Sequence, residues 1–67
     1  MTQHTLGARL RRARLDAGMS QADLEALTGI AKTELSRYEN DHVEPGIDRL
    51  RVLVHALGAD VAWIIGP

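Results

Sequence analysis

Residues 20–39, SQADLEALTGIAKTELSRYE, contain the two short helices that decide the fold. Ser20 is a good helix N-cap, and Asp23 follows three residues later as the acidic member of a capping-box-like start. Gly29 ends this helix, and a second helix is predicted over residues 31–39. Two helices joined by only three or four residues that include a glycine must cross steeply. The stretch therefore predicts a helix-turn-helix.

The apolar residues of this stretch predict which sides of the two helices are buried. Leu24 and Leu27 are spaced to face inward on the first helix, and Leu35 and Tyr38 do so on the second, with Ile30 filling the crossing. The outer face of the second helix then carries Lys32, Thr33, Ser36 and Arg37. These side chains can donate hydrogen bonds to phosphates or base edges, and arginine pairs with guanine in particular.

Three further helices are predicted outside the motif. Their apolar stripes are Leu6, Leu10, Ala13 and Ala17 before it, and Ile47, Leu50, Leu53, Val54 and Leu57 after it. Gly18 and Gly58 follow these stripes as stop signals, and Asp60 caps a last short turn over residues 61–65. No strand-like alternation is long enough to count. The predicted fold is all-α, a compact bundle of five helices.

Length and composition favour one small domain over residues 1–67 and give no sign of an enzyme. The chain has 67 residues, 45% of them apolar and 25% charged, and it contains no cysteine, so neither a disulfide nor a thiolate zinc site is available. His4, His42 and His55 are scattered and do not form a metal-ligand pattern. No nucleophile-base-acid set or glycine-rich phosphate loop is visible, so neither catalysis nor a cofactor is expected.

Charge and hydropathy leave nucleic acid open as a partner and argue against a membrane. No apolar run approaches the ~18 residues needed to span a bilayer, so a cytoplasmic protein is expected. The net charge of -1 hides local fields of both signs. Arg9, Arg11, Arg12 and Arg14 lie in one stretch, whereas Asp41, Glu44 and Asp48 cluster past the midpoint. For Arg11 and Arg12, a merely solvated helix face is the favoured interpretation.

The chain resembles the lambda-repressor/Cro type of helix-turn-helix, also called the XRE family, from Leu6 to about Gly66. The matching features are Leu6-Gly7, Arg9-Leu10-Arg11, Arg14, Gly18-Met19-Ser20-Gln21, Leu24, Gly29-Ile30, Leu35-Ser36-Arg37, Glu39-Asn40, Pro45, Leu50 and Ala56-Leu57-Gly58. The resemblance implies a bundle of five helices that reads double-stranded DNA with the third.

The resemblance also implies a set of functional positions. The family's base-contacting positions fall on Lys32, Thr33 and Arg37, with Ser36 nearby. Gln21 matches a glutamine that binds phosphate and braces the reading helix, although a simple helix-start role stays open. Asn40 matches a phosphate-contacting asparagine. Arg14 and Glu39 match an arginine and a glutamate that pair across the first and third helices.

The chain departs from the family pattern at several positions near the third helix. Ala31 stands where a serine or threonine normally caps that helix, a loss that typically costs ~1 kcal/mol. Asp41 replaces the usual glycine, and residues 42–45 lack the lysine or arginine that many relatives use against the DNA backbone. These departures affect the expected affinity more than the fold.

The C-terminal residues have two competing interpretations. Trp63, Ile64 and Ile65 are needed in part for the core, yet consecutive apolar residues of a helix cannot all face inward. Val52 adds to the exposed apolar surface, and such surface often marks association. In the family the last helix commonly builds a two-fold dimer, which sets the reading helices about 34 Å apart. Trp63, Ile64 and Ile65 are therefore expected at a homodimer interface.

Two functions from different classes follow. The first is a sequence-specific DNA-binding regulator, such as a small prokaryotic or phage repressor that binds an inverted-repeat operator as a dimer. The second is a helix-turn-helix used as a protein-interaction module, such as an antitoxin or adaptor with weak DNA binding. The net charge of -1 and the acidic residues between 41 and 48 favour the second. Gly66-Pro67 fits either a natural end or the start of a linker.

Overall fold

The structure is a computed structural model that describes residues 5–66. It contains five helices: α1 (Leu6–Asp16), α2 (Gln21–Thr28), α3 (Lys32–Glu39), α4 (Ile47–Leu57) and α5 (Val61–Ile65). No strand occurs within residues 5–66, so the predicted all-α fold is confirmed. None of these helices is long and apolar enough to cross a membrane. His4 lies outside the described residues.

Local capping explains where three of the helices begin. Thr5 accepts a hydrogen bond from the Ala8 amide at 3.1 Å, and Asp60 accepts one from the Ala62 amide at 3.0 Å. At α2 the predicted capping box is complete, with Ser20 Oγ and the Asp23 carboxylate each accepting from the other residue's backbone amide. The hydrogen bonds from Ser20 lower the pKa of Asp23. The first turn of α2 is therefore fixed by local sequence alone.

Each of the five helices contributes at least one buried side chain to a single hydrophobic core. Its most enclosed side chains are Leu24, Leu35, Leu53 and Ile64, joined by Leu10 of α1. Tyr38 of α3 is also buried, and its hydroxyl oxygen accepts a hydrogen bond from Arg49 Nη1 of α4 at 3.0 Å. A buried phenol oxygen needs a hydrogen-bond partner, and Arg49 supplies it, so Tyr38 can lie in the core.

Three predictions about apolar positions are wrong. Leu27 and Ile47 were expected to face inward, but they are 59% and 62% exposed. Leu27 lies in the last turn of α2 and borders a cleft beside α4, and Ile47 is the first residue of α4 and borders a cleft beside α5. Ile64 was expected at a dimer interface, but it is fully buried within the monomer. The five-residue helix α5 turns only one of its large apolar side chains into the core, and that side chain is Ile64.

The end of α3 and the start of α1 approach each other closely at Gly7. A Cβ atom there would lie 2.8 Å from the Glu39 carbonyl oxygen and closer still to that of Tyr38. Asp41 adopts a φ of 60°, the only positive φ of a non-glycine residue within 5–66. Its carboxylate accepts hydrogen bonds from the Gly7 amide at 2.9 Å and the Thr5 hydroxyl at 2.7 Å. The aspartate that replaces the family's glycine thus joins α3 to α1.

We expect Gly7→Ala to destabilise the fold by about 1–3 kcal/mol, because the new methyl group overpacks against backbone carbonyls that cannot move aside. This loss should outweigh the gain of about 1 kcal/mol that alanine brings to a helix interior. Urea denaturation measures it. Gly46→Ala is the matched control, since a Cβ at that position meets no atom within 4 Å. Equal unfolding midpoints for the two variants would contradict the close approach.

Candidate nucleic-acid interface

The outer face of α3 carries the polar side chains that the sequence predicts. Gly29 ends α2 with a left-handed φ of 76°, and buried Ile30 fixes the turn, so α3 crosses α2. Lys32, Thr33 and Arg37 are exposed on α3, and Ser36 is half-buried beside them. The opposite side of α3 is held in the core by Leu35, Tyr38 and Glu39. The helix therefore presents these donors from a fixed support.

A buried ionic network holds the C-terminal end of α3. Arg14 Nε and Nη2 donate to the two carboxylate oxygens of Glu39 at 2.7 and 3.0 Å. Both side chains are less than one-tenth exposed. The hydrogen bond from Arg14 to Glu39 raises the pKa of the guanidinium. Arg14 Nη1 also donates to the Met19 carbonyl oxygen at 2.9 Å, which ties in the turn between α1 and α2.

Gln21 extends this network to the motif's first helix. Its Nε2 donates to Glu39 Oε1 at 3.1 Å, so one carboxylate joins α1, α2 and α3. The side chain is half-buried at the first position of α2, directly after the N-cap Ser20. An amide nitrogen carries two protons, and only one is needed for this bond. Gln21 can therefore brace α3 and still offer a donor to an anion.

Asn40 follows α3, and its amide is turned back along the helix. Asn40 Nδ2 donates to the Ser36 carbonyl oxygen at 2.8 Å and to Ser36 Oγ at 3.3 Å. Its donor group is thus engaged within the chain, and a contact with phosphate through Nδ2 requires the side chain to rotate away from Ser36. Ser36 Oγ accepts from Asn40, which leaves its own proton available for donation.

Sequence reasoning missed Arg49, which supports α3 from α4. Besides its bond to the Tyr38 hydroxyl, Arg49 Nη1 lies 4.0 Å from Glu34 Oε2. Glu34 is the acidic residue of α3's first turn, and it is paired on the α4 side of the helix. The buried phenol of Tyr38 was the available signal, because it requires a partner.

Comparison with known proteins places this arrangement in a family. A sequence model described as helix-turn-helix matches residues 10–64. The chain belongs to the helix-turn-helix family of the lambda-repressor/Cro type, and the expected resemblance is confirmed.

The relatives of this helix-turn-helix chain include regulators. It is 32% identical over 62 residues to the HTH-type transcriptional regulator ImmR of Bacillus subtilis (strain 168), a match covering 92% of the chain and 49% of ImmR. The chain thus spans about half the length of that regulator. Its fold matches the crystal structure of the P22 c2 repressor protein in complex with synthetic operator 9T, with a TM-score of 0.84 and 26% identity. That match covers 92% of the chain and 94% of the P22 chain.

Within this helix-turn-helix domain, the residues expected at a dimer interface do not share one surface. Trp63 is 40% exposed and borders a cleft with Ala17 and Asp60, on the α1 side of α5. Ile65 is 57% exposed and borders a different cleft, with Ile47 and others, on the α4 side. Ile64 between them is core. The two exposed residues therefore point to opposite sides of α5.

Proposed function

We propose that this chain is a sequence-specific domain that binds double-stranded DNA in a small prokaryotic or phage transcriptional repressor of the cytoplasm. One observation carries the proposal: Lys32, Thr33 and Arg37 are exposed on a helix whose other side is locked into the core. A helix presented in this way fits the major groove, where each base pair offers a distinct pattern of donors and acceptors. Family membership supports the same function.

The site residues divide into two roles in this proposal. Arg37 lies one turn beyond Thr33 and contacts a guanine edge or the adjacent phosphate, while Lys32 and Thr33 reach the neighbouring bases. Gln21 and Asn40 contact phosphates, which positions the domain without reading sequence. Ser36 donates through its free hydroxyl proton to the DNA backbone. The network of Arg14 and Glu39 holds α2 and α3 in the geometry that both roles need.

The proposal includes a two-fold dimer on an inverted-repeat operator, with the contact made by α5. Of the clefts beside α5, the one on the α4 side is the larger apolar candidate, because Ile47, Val61 and Ile65 are all more than half exposed there. Trp63, which was also expected at the interface, borders the cleft on the α1 side of α5 and lies outside this contact. The contact of one short helix contributes only slightly more binding free energy than association costs in entropy. The dimer is therefore weak in free solution and strengthened on DNA.

We expect Ile65→Glu to abolish the two-protomer complex on an inverted-repeat duplex while leaving single half-site binding intact, because a carboxylate then replaces an apolar contact. Sedimentation of the DNA complex measures the number of protomers. Val52→Glu is the matched control, since Val52 is 43% exposed on α4 but does not line the α5 cleft. One wild-type protomer per inverted repeat would contradict the proposed dimer.

A mobility-shift experiment at low salt, with and without a large excess of nonspecific DNA, tests the proposed function. The wild-type chain should retain a shifted complex with duplexes selected from a random pool when competitor is in excess. The interaction-module alternative, favoured by the net charge of -1, survives only if no duplex is bound, including the gene's own upstream region.

A further inference from the structure

A second apolar cleft lies away from the α3 face, between the end of α2 and the middle of α4. It encloses about 550 Å³ and is lined by Leu27, Thr28, Arg51, Val52, His55 and Ala56. Arg51 and His55 of α4 line one side of the cleft. The same two residues also line the cleft beside α5. None of its lining residues belongs to the proposed DNA-contacting set.

The cleft exposes two large apolar side chains that the core does not use. Leu27 is 59% exposed and Val52 is 43% exposed, although α2 and α4 pack against each other beneath them. The Thr28 hydroxyl is already satisfied, because it donates to the Leu24 carbonyl oxygen at 2.8 Å. The floor therefore offers contact area without competing polar groups, as binding clefts for apolar side chains do.

Charge decides what kind of occupant fits. Arg51 and His55 line the cleft, and no carboxylate of residues 5–66 does. Within residues 5–66 neither of these two side chains forms a hydrogen bond or an ion pair. A two-fold contact here would place two copies of the same patch against each other, since such contacts use the same patch twice. Because the lining residues include no carboxylate, a second copy would offer Arg51 no opposite charge.

We propose that this cleft docks an acidic amphipathic helix of a partner protein. Leucine-sized residues on one face of that helix pack against Leu27 and Val52, and flanking carboxylates pair with Arg51 and His55. An apolar stripe at helical spacing fits a groove between two helices. Such docking leaves the exposed side chains of α3 free, so the domain can hold DNA and the partner together.

An NMR titration of the isotope-labelled 67-residue chain tests this proposal. The probe is a capped helical peptide of about 16 residues, because shorter helices are marginal in water. It carries leucines at i, i+4 and i+7, with glutamates flanking that face and alanines elsewhere. The control peptide has lysine in place of every glutamate. We expect amide shifts centred on Leu27, Val52 and Ala56 with the acidic peptide, and weaker binding at higher salt.

Substitutions inside and outside the cleft test the proposed peptide contacts. Val52→Glu should weaken the acidic peptide by about tenfold or more, because it removes apolar contact and adds a like charge. Leu27→Ser gives a second, milder variant that adds no charge. Leu15→Glu is the matched control, an exposed apolar position on α1 outside this cleft, and it should leave peptide affinity unchanged. All variants should retain the wild-type affinity for a single DNA half-site.

Several results would overturn the proposal. These are equal binding of the lysine peptide, shifts centred on α3 or α5 instead, and no binding up to about 1 mM peptide. Shifts at Leu27 and Val52 that grow with protein concentration alone would assign the cleft to a second copy. Shifts there caused by duplex DNA would assign it to nucleic acid. Because DNA affinity is measured separately, loss of peptide docking and loss of the proposed function are distinguishable.

Discussion

Glu39→Ala should lower the free energy of unfolding by about 3–5 kcal/mol, since it leaves the buried Arg14 charge without its carboxylate. The amide of Gln21 loses its acceptor as well. Domains of this size have a total stability on the order of 5 kcal/mol, so the variant should be close to unfolded at 25 °C. Urea and thermal denaturation followed by Trp63 fluorescence measure the change.

The exposed ion pair of α1 supplies the control for this prediction. Arg12 Nε lies 3.1 Å from Asp16 Oδ1, but both side chains are more than half exposed. Asp16→Ala should therefore cost only a few tenths of a kcal/mol. The exchange Arg14→Glu with Glu39→Arg should restore little, because a glutamate cannot donate to the Met19 carbonyl oxygen. A free energy of unfolding for Glu39→Ala within a few tenths of a kcal/mol of the wild-type value would show that the network contributes little to stability.

Arg37→Ala should remove most of the preference for the selected duplex. An arginine bidentate to guanine supplies about 1–3 kcal/mol of discrimination, equivalent to roughly 5–150-fold in relative affinity. The fold and the thermal midpoint should hardly change, because Arg37 is exposed on a helix and alanine is a good helix former. Competition binding against a duplex with the preferred guanine replaced measures the loss.

Gln21→Ala is the informative comparison, since a phosphate contact behaves differently from a base contact. Its loss should weaken binding to all sequences alike, without changing which sequence is preferred. Because the amide is uncharged, the salt dependence of binding should stay the same. A loss of about 1 kcal/mol in stability should accompany it, because Gln21 donates to Glu39. If Gln21→Ala changed the preferred sequence and Arg37→Ala did not, the two assigned roles would be reversed.

Local signals explain why the helix limits could be predicted from sequence. Ser20 and Asp23 form a self-contained capping box, and Gly29 and Gly58 take the left-handed conformation that ends a helix. These features depend on neighbours within four residues. The outward position of Arg37 follows equally well from helical periodicity, once Leu35 and Tyr38 are assigned to the core. The ion pair of Arg14 was expected only through family resemblance, because its partner is 25 residues away.

Features that depend on tertiary neighbours could not be predicted in the same way. Periodicity places Leu27 near the inner face of α2, but it does not show that the bundle leaves a cleft beside α4. In α5, three apolar residues compete for one inward position, and only the packed structure selects Ile64. The bonds of Asp41 to Thr5 and Gly7 join residues at least 34 positions apart, so no local pattern indicates them.

Selection of bound duplexes from a random pool, carried out in parallel with the wild-type chain and the Lys32→Ala, Arg37→Ala double variant, tests most directly whether α3 reads DNA. The wild type should enrich one sequence class, arranged as an inverted repeat. The double variant should remain folded and enrich none, while keeping weak, salt-sensitive binding to all duplexes. If it enriches the same sequences with the same affinity, α3 is not the reading helix.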